Sequence, residues 1–211
     1  MRIPLAREGY PFIALPLAGA AAALWAGWTV PAGALAAVGL CCAGFFRDPE
    51  RRIPDEPDAI VSPADGKIVL VERTSSAVRI AIFLSVFDVH VNRAPVAGEV
   101  GPVKYTRGRF LAAFDLRASE VNEQTEVPMR TEGGLVKVRQ IAGLIARRIV
   151  CRVREGDRLR IGERFGLIRF GSRTELILPP EAEATVHVGD RVRGGASVVA
   201  RWNPAGAGAS R

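Results

Sequence analysis

The chain has 211 residues, 48% of them hydrophobic, and a formal net charge of +7 at pH 7. This length allows one domain of ordinary size with a short additional segment. Its three cysteines form neither a disulfide framework nor a metal-binding spacing, so we expect a reducing environment and no metal.

Nearly all of the positive charge comes from arginine, because the only lysines are Lys67, Lys104 and Lys137. A pyridoxal phosphate enzyme, or a lipoyl or biotinyl carrier, depends on one particular lysine. With no lysine after position 137, we expect neither pyridoxal phosphate nor a carrier lysine. The basic charge predicts an anionic partner, unless it reflects an arginine-rich composition overall. The sequence contains no nucleic-acid-binding motif, so a lipid surface is the expected partner.

The first 48 residues have the character of a membrane-associated segment. Gly9–Phe46 contains no charged side chain and is rich in Ala, Leu and Gly. A membrane-spanning helix needs about 20 apolar residues, and Pro31 divides this segment into two shorter parts. Arginines flank both ends, which favours a cytoplasmic position for both. Residues 1–48 are therefore predicted to form a helical hairpin that dips into or crosses the bilayer, with Pro31 and Gly33 at its tip; a single span, an interfacial anchor or a soluble apolar helix are the alternatives.

The chain changes character after this segment. Residues 49–59 contain three prolines among charged residues and are predicted to be a linker. Residues 60–211 are predicted to form a mainly β domain, a sandwich or barrel with few short helices, because short apolar runs alternate with glycine-containing turns. The best candidate for a short helix is Gly143–Ala146. The predicted strands are Lys67–Arg73, Ala77–Phe87, Gly98–Tyr105, Thr125–Thr131, Leu135–Ile141, Ile149–Val153, Phe165–Phe170, Thr174–Leu178, Ala184–His187 and Ser197–Arg201.

Two stretches of this domain look like the same turn used twice. They are Val153-Arg154-Glu155-Gly156-Asp157 and Val188-Gly189-Asp190-Arg191-Val192, and each precedes a further glycine. This repetition predicts a pair of related β-units, as in lipoyl-type sandwiches.

The chain has two histidines, and only one has polar neighbours in a strand-like run. In segment 83–95, strand alternation places Asp88, His90 and Asn92 on one face. A polar face at the end of a strongly apolar strand is unusual, although a structural histidine is the simpler interpretation of His90 on its own. His187 lies beside Gly189-Asp190 and is expected to be a surface residue.

Two further positions are ordinary turns unless they belong to a site. Asp65 precedes Gly66, and Asp-Gly is the commonest hairpin turn pair. Gly171-Ser172 lies between two apolar strand patterns, where a Gly-Ser step is usually a tight turn. Their occurrence together with His90 and the apolar N-terminus makes them candidates for one site.

The segments Ser62-Pro63-Ala64-Asp65-Gly66, Phe83-Leu84-Ser85 through Pro95, and Phe170-Gly171-Ser172 follow one another in a specific order. In that order and spacing the chain resembles the phosphatidylserine decarboxylases, in particular the short bacterial form of the proenzyme. The resemblance covers essentially the whole chain, including the apolar N-terminus. It rests on the ordered set, since no single motif is decisive.

The resemblance implies a bacterial cell-membrane enzyme of phospholipid biosynthesis, with a cytoplasmic catalytic domain, that converts phosphatidylserine to phosphatidylethanolamine. It implies cleavage between Gly171 and Ser172 into chains 1–171 and 172–211, which remain together as a heterodimer. It also implies that Ser172 becomes a pyruvoyl group, which takes the place of pyridoxal phosphate. By the same resemblance, Asp65 and His90 activate the Ser172 hydroxyl.

The chain departs from the longer family members at two places. Those members carry two histidines three apart, whereas this chain has His90 followed by Arg93. They also have Leu-Gly-Ser-Thr where this chain has Phe170-Gly171-Ser172-Arg173. It is therefore open whether His90 serves both self-cleavage and decarboxylation, and Arg93 is a candidate for binding the substrate carboxylate or phosphate.

Two other functions stay open on the residues alone. A membrane-tethered, lipoyl-like adaptor without catalytic activity predicts an intact chain. A membrane-anchored hydrolase with Ser172, His90 and Asp65 as its triad predicts an intact chain that reacts with serine-directed electrophiles, although Thr174 stands where a nucleophile elbow needs glycine. Exposed strand edges are also compatible with a homo-oligomer.

Overall fold

The chain folds as two compact units, Met1–Glu50 and Arg51–Arg211, which we call unit 1 and unit 2. A computed structural model describes residues 4–111, 117–143, 148–169 and 172–203. The predicted short helix at Gly143–Ala146 lies mostly outside the described residues.

Unit 1 is a pair of packed helices. A single 3₁₀ turn, Arg7–Gly9, leads into α1 (Tyr10–Trp25), and α2 spans Thr29–Phe45. Small residues allow the helices to approach closely: a Cβ on Gly39 would lie 2.8 Å from the Leu17 side chain. Among the described residues, no helix has both the length and the apolar character to cross a membrane. The bilayer-crossing form of the predicted hairpin is therefore unsupported.

The tip of this hairpin differs from the prediction. The turn between the helices is at Gly27, whose φ of 79° suits glycine, and the Trp28 N–H donates to Ala23 O at 2.8 Å. Pro31 and Gly33 instead lie within α2. Pro31 is in the first turn of that helix, where a missing N–H costs nothing because no carbonyl precedes it in the helix.

Unit 2 is mainly β, as predicted. Its strands are β1 (Ala59–Val61), β2 (Gly66–Arg73), β3 (Val78–Leu84), β4 (Val91–Arg93), β5 (Gly98–Val100), β6 (Lys104–Thr106), β7 (Gln124–Thr131), β8 (Gly134–Ile141), β9 (Ile149–Cys151), β10 (Arg158–Leu159), β11 (Arg164–Ile168), β12 (Ser172–Leu178), β13 (Glu183–Ala184), β14 (Arg191–Val192) and β15 (Val198–Arg201). They form one nine-stranded sheet in the order β10-β5-β7-β8-β12-β3-β2-β14, with β6 also paired to β7, and two three-stranded sheets, β1-β15-β13 and β4-β11-β9. The only helix among the described residues of this unit is the single turn α3 (Ala118–Val121).

Most predicted strands match an observed strand, and four short strands were not predicted. Several predicted strands are shorter than expected: Ala77–Phe87 ends at Leu84, Ile149–Val153 ends at Cys151, Ala184–His187 ends at Ala184, and Gly98–Tyr105 is interrupted between β5 and β6. The interruption includes Pro102, which cannot donate to a ladder. The strands β1, β4, β10 and β14 have at most three residues and were not predicted.

The core of unit 2 lies beneath the central strands of the large sheet. Alternate side chains of β3 and β12, among them Ile80, Ile82 and Leu176, are fully buried in one apolar cluster. Burying each such side chain stabilises the fold by roughly 1.5–3 kcal/mol. Strand β12 lies in the middle of the sheet, where it pairs with β3 on one side and β8 on the other. This position makes β12 one of the most constrained strands of the molecule.

The two similar turns found in the sequence have the same structure. Gly156-Asp157 and Gly189-Asp190 occupy equivalent positions, and both glycines have positive φ, at 89° and 106°. Each aspartate accepts a backbone N–H from three residues back, from Arg154 at 2.9 Å and from His187 at 2.8 Å. Each turn then continues into a two-residue strand, β10 or β14.

The segments that these turns contact are equivalent too, although the sequence did not lead us to expect it. Residues 62–68 read Ser-Pro-Ala-Asp-Gly-Lys-Ile, and residues 94–100 read Ala-Pro-Val-Ala-Gly-Glu-Val. We call them the twin segments. Ile68 and Val100 each donate an N–H to the aspartate carbonyl of their turn, at 2.9 and 2.8 Å, and each accept the N–H of its glycine at 2.9 Å.

The other ends of the twin segments meet near the centre of unit 2. Ser62 accepts the N–H of Gly195 at 2.8 Å, and Ala94 accepts the N–H of Gly162 at 2.8 Å. These two glycines have nearly equal φ values of 75° and 73°. A Cβ on Gly195 would lie 3.5 Å from the Gly162 Cα, so the halves of the repeat face each other there.

Candidate active site

Several strands of unit 2 begin or end at one end of the sheets, which we call the site end. Ser172, the first residue of β12, pairs with Leu84, the last residue of β3. The chain then turns through residues 85–89 to His90, whose carbonyl accepts the Ile168 N–H at 3.2 Å. Because Ile168 ends β11, four residues before Ser172, the strands bring His90 and Ser172 to the same end of the sheets.

Ser172 is fully buried. Its Oγ atom has no hydrogen-bond partner among the described residues. A buried hydroxyl without a partner costs on the order of 1–3 kcal/mol, so the Ser172 hydroxyl is a candidate for a reactive group. Phe170 and Gly171 lie outside the described residues.

His90 is fully buried, and its orientation is set from the preceding turn. Nδ1 lies 3.0 Å from the carbonyl oxygen of Asp88. Since a carbonyl oxygen only accepts hydrogen bonds, this contact places the proton on Nδ1 and makes Nε2 the basic nitrogen. The Asp88 carboxylate closes the turn by accepting the Ser85 N–H and Oγ–H at 2.8 and 2.7 Å.

The predicted polar face is therefore only partly correct. His90 and Asn92 are buried neighbours in the segment that forms β4, but Asp88 belongs to the turn, so strand alternation does not apply to it. Asp88 contributes through its carbonyl, which orients the histidine. The apolar pattern of segment 83–91 gave no signal of this turn.

A buried amide network connects β4 to β12 close to Ser172. Asn92 Nδ2 donates to Thr174 Oγ1 at 3.1 Å, and Gln140 Nε2 donates to Asn92 Oδ1 at 2.9 Å. Asn92 and Gln140 are both fully buried. The Pro63 carbonyl accepts the Arg93 N–H at 2.9 Å, which ties the segment before Asp65 to the same strand. Sequence reasoning missed Thr174 and Gln140, since neither lies in a recognisable motif.

Asp65 lies at the site end, immediately before β2. Its Oδ2 atom accepts from Arg51 Nη2 at 2.7 Å, and its Oδ1 atom accepts from the Gly194 N–H at 2.8 Å. Burial raises the pKa of Asp65, and this effect outweighs the Arg51 charge and the Gly194 hydrogen bond, which lower it; the nearby Asp88 charge raises it further. Arg51, in the predicted linker, is a partner that sequence reasoning did not identify.

The glycine after Asp65 is required by a close backbone contact. A Cβ on Gly66 would lie 2.2 Å from the Phe83 carbonyl oxygen, and its φ of 151° is unfavourable for other residues. The aspartate is therefore held one residue from the end of β3, next to the turn that leads to His90.

The side chains of Arg93 and Arg173 contact groups other than the Ser172 hydroxyl. Arg93 is 3% exposed, and its Nη1 donates to Gly162 O at 3.2 Å. Arg173 follows Ser172 on the opposite face of β12, where its Nε lies 3.2 Å from the buried carboxylate of Glu175. Ser119 Oγ donates to the same carboxylate at 2.6 Å. Burial lowers the pKa of Arg173, with Glu175 opposing and Arg79 adding to this shift.

The remaining predictions about charged and metal-binding groups are simple to compare. His187 is a surface residue, as predicted, with its side chain 91% exposed. Within the described ranges, no group of His, Cys, Asp and Glu is arranged to hold a metal ion. Cys151 is half-buried and unbridged, and burial raises the pKa of its thiol.

The fold and this site define a mainly β protein with a buried serine at the start of a central strand, without a hydrogen-bond partner among the described residues, and an oriented, buried histidine at the same end of the sheets. Comparison with known proteins is specific. The family model for phosphatidylserine decarboxylase matches residues 38–200. A phosphatidylserine decarboxylase proenzyme of Symbiobacterium thermophilum is 50% identical over 210 residues, covering 95% of this chain and 97% of that protein. The proenzyme of Solibacter usitatus is 50% identical over 191 residues, covering 90% of this chain and 93% of that protein.

A proenzyme of Desulfotalea psychrophila is also similar, with 43% identity over 214 residues, 94% of this chain and 96% of that protein. The chain belongs to the phosphatidylserine decarboxylase family. The predicted resemblance is thus confirmed, and the comparisons support neither the adaptor nor the hydrolase.

Proposed function

We propose that this chain is a proenzyme that cleaves itself between Gly171 and Ser172 and then decarboxylates phosphatidylserine to phosphatidylethanolamine. Family membership supports the overall reaction. The observation that carries the assignment of the residue is the buried Ser172 hydroxyl, which has no partner among the described residues. A buried serine at the start of a central strand, with a hydroxyl that makes no hydrogen bond to a described residue, is a suitable candidate for a residue that the reaction consumes.

In the proposed cleavage, Ser172 Oγ attacks the Gly171 carbonyl carbon while a base accepts the hydroxyl proton. The C–N bond between the two residues breaks, and an ester between Gly171 and the Ser172 oxygen replaces it. Removal of the Ser172 Cα proton then breaks the Cβ–O bond and releases the Gly171 carboxylate. Water hydrolyses the resulting dehydroalanine to a ketone and ammonia, which leaves a pyruvoyl group at residue 172.

His90 is the proposed base of this reaction. Its Nδ1 is matched to the Asp88 carbonyl, so Nε2 is the nitrogen that can take up a proton. Asp65 is the proposed positioning group for this region, and its raised pKa reflects a carboxyl held in a buried site beside Arg51. Glycine at 171 suits the reaction, because the absence of a Cβ permits strained backbone conformations and close approach of the attacking oxygen.

The pyruvoyl group is the proposed cofactor of the second reaction, in which its ketone supplies the electron sink for loss of carbon dioxide. The protein binds and orients the lipid serine headgroup next to residue 172. Arg93 is proposed to bind the substrate carboxylate or phosphate. For this role its guanidinium must exchange the Gly162 carbonyl for the substrate, so Arg93→Lys should raise KM for the lipid with little effect on self-cleavage.

We propose that unit 1 associates with the bacterial inner membrane from the cytoplasmic side. Its hairpin exposes Trp25, Trp28 and Val30, which are 92%, 65% and 82% exposed. Tryptophan favours the headgroup level of a bilayer. In this proposal residues 1–48 are the membrane-associated part, 49–59 the linker and 60–211 a catalytic domain of paired lipoyl-like units. After cleavage, chains 1–171 and 172–211 form a heterodimer, and copies of this heterodimer can associate into a homo-oligomer.

Intact mass spectrometry of the purified full-length protein tests the proposal. We expect a fragment matching 172–211 that is lighter than the free-amine peptide by one ammonia and resists N-terminal sequencing. Ser172→Ala should abolish the cut, whereas Ser62→Ala, which removes a buried serine whose Oγ bonds Ala64 O instead, should still be cut. A single uncut mass from folded, unmodified protein would overturn the assignment. His90→Gln should slow the cut without preventing folding.

A further inference from the structure

The site end of unit 2 exposes two large apolar side chains. Phe87, in the turn before His90, is 82% exposed, and Val188, in the turn before Gly189-Asp190, is 63% exposed. They are the two most exposed large hydrophobic residues among the described residues of unit 2. Val86, next to Phe87, is also 43% exposed. Exposed apolar groups gathered at one place mark an interaction surface more often than single exposed residues do.

The two turns that present these side chains are held in place. The Asp88 carboxylate closes the first turn on Ser85 and lies 3.5 Å from Arg191 Nη1, which belongs to the strand after the second turn. The second turn is fixed to β2, since Gly189 donates its N–H to Ile68 O at 2.9 Å. Phe87 and Val188 therefore project from neighbouring, hydrogen-bonded turns instead of from loose loops.

The charges around these turns are mainly positive. Carboxylates at the site end are fewer than cations and partly engaged by Ser85, Arg191 and His187. The exposed cations of this end, within the described ranges, are Lys67, Arg107, Arg109, Arg117, Arg148, Arg191 and Arg193, and the carboxylates that are not fully buried are Asp65, Asp88, Glu120, Glu123 and Asp190.

The opposite end of the sheets has the reverse balance. It includes the β7–β8 hairpin and a cavity of about 1090 Å³ lined in part by Glu99 and Glu132. Its carboxylates among the described residues are Asp55, Glu56, Asp58, Glu72, Glu99, Glu132, Glu181 and Glu183, against Arg73, Arg79, Arg130, Arg158 and Arg201. The charge of unit 2 is therefore polarised along the strands, with the positive end carrying the site.

We propose that the site end of unit 2 docks on an anionic bilayer surface, with Phe87 and Val188 entering the headgroup region. Lys67 and Arg193, which flank the two turns, attract anionic headgroups, while the acidic end faces away. This inference deepens the proposed function and rests on it for the lipid that is converted. Docking brings the end of the sheets that holds the buried Ser172 and His90 to the bilayer, so the lipid enters the protein there without crossing water.

The first experiment measures docking without catalysis. In the full-length chain with Cys41, Cys42 and Cys151 replaced by serine, an environment-sensitive fluorophore is attached to Val188→Cys or to Leu135→Cys. Leu135 is 46% exposed and lies next to the hairpin at the opposite end. The probes are vesicles of phosphatidylcholine with or without phosphatidylglycerol, an anionic lipid that carries no serine to decarboxylate. Self-cleavage of the labelled chains reports that they are folded. If the chain without cysteines does not cleave itself, a second background that keeps Cys151 is used.

We expect the label at 188 to shift to the blue with phosphatidylglycerol vesicles, to be quenched by lipid-borne quenchers, and to lose this response at high salt. The label at 135 should show no such change. An unchanged label at 188, or equal changes at both positions, overturns the proposal. A response at 188 that is the same on pure phosphatidylcholine overturns the role of the cations.

A second experiment separates docking from chemistry. Phe87→Ser with Val188→Ser should lower decarboxylation of phosphatidylserine in vesicles on the order of tenfold, the size expected for losing the burial of one aromatic side chain. The rate on a dispersed, short-chain phosphatidylserine should be unchanged, as should Leu135→Ser on both substrates. Equal loss on both substrates, or no loss on vesicles, overturns the docking role. If the unmodified protein decarboxylates neither substrate, the proposed function fails, and the fluorophore experiment still decides the docking.

Discussion

The twin segments 62–68 and 94–100 make the same backbone hydrogen bonds, yet only the first contributes to the candidate site. Both continue from a proline through a glycine into a strand, β2 or β5. The residue before the glycine is Asp65 in one and Ala97 in the other. Asp65 is largely buried beside Arg51, whereas Ala97 is exposed.

This difference separates the needs of the fold from the needs of the site. If the aspartate were present to form these backbone hydrogen bonds, its twin would need one too, because both segments make them. Ala97 shows that these hydrogen bonds form without it. The commonest interpretation of an Asp-Gly pair, a turn signal, is therefore insufficient for Asp65, which points to a role at the site end.

The largest expected effect comes from the glycines that follow these two residues. A Cβ would lie 2.2 Å from Phe83 O at Gly66 and 2.6 Å from Arg130 O at Gly98. Both Gly66→Ala and Gly98→Ala should lower the free energy of unfolding, by about 3 kcal/mol or more at Gly66 and somewhat less at Gly98. Urea unfolding in the uncut Ser172→Ala background measures this. In the cleavable chain, only Gly66→Ala should also slow cleavage in molecules that remain folded; equal slowing by Gly98→Ala would contradict the comparison.

Asp65→Ala makes the twin segments alike at this position. We expect it to slow self-cleavage by about 100-fold or more, the size of a lost acid–base or positioning group, while circular dichroism stays unchanged. A time course of chain cleavage on denaturing gels measures the rate, with Ala97→Ser as the matched control. Cleavage at the normal rate would remove Asp65 from the site.

The pH dependence of stability should differ between the chain with Asp65 and an Asp65→Asn variant. Since the folded-state pKa of Asp65 is raised, its protonated form is favoured by folding. Its stabilising contribution is therefore complete below the unfolded-state pKa and is lost as pH rises through the folded-state pKa. The chain with Asp65 and the Asp65→Asn variant are compared in the Ser172→Ala background. As pH rises from the unfolded-state pKa to the folded-state pKa of Asp65, the chain with Asp65 should lose more stability than the variant. Parallel pH profiles for the two proteins would show that burial does not control this carboxyl.

Substitution of either turn glycine, Gly156 or Gly189, should lower the stability by a similar amount. Gly156 and Gly189 have positive φ, and a Cβ at either would meet no atom within 4 Å. Gly156→Ala and Gly189→Ala should each cost about 1 kcal/mol, from backbone conformation alone. Thermal unfolding in the uncut background measures both, and a large difference would show that the turns are not equivalent.

The smallest effect is expected for Ala97→Asp. The position is exposed, so stability should change by no more than about 0.5 kcal/mol. The substitution should not restore cleavage to Asp65→Ala, since it lies in the other twin. Restoration would show that position in the fold matters less than the presence of a carboxylate.

The sequence predicted the long strands and the protein family better than the geometry of the candidate site. Alternating apolar residues in β3, β7 and β8 made these strands visible, because the sheet buries one face of each. Strands such as β4 and β14 have no such period, since tertiary contacts alone make them extended. The N-terminal segment was correctly divided into two helices at the wrong residue, because Pro31 was taken as a breaker although proline is favoured in the first turn of a helix.

At the candidate site, ordered motifs selected Ser172, His90 and Asp65 as candidates, but the partners of these residues are distant in sequence. Arg51 contacts Asp65, and Gln140 contacts Asn92 across 48 residues. The carbonyl of Asp88 orients His90, and a main-chain group leaves no trace in side-chain patterns. The raised pKa of Asp65 follows from burial, which requires the fold.

Because β12 lies in the middle of the sheet, a cleaved molecule that unfolds should be unable to regain its original state. Cleavage before Ser172 would make this strand the start of a separate chain while its ladders to β3 and β8 hold it on both sides. To leave the sheet, the strand would have to break both ladders at once. The cut protein would therefore remain folded because it would unfold slowly. Once unfolded, the fragments would have to find each other by diffusion, and the serine that makes the cofactor would already be spent. Each molecule would thus be assembled once, and its working life would last only as long as that first fold.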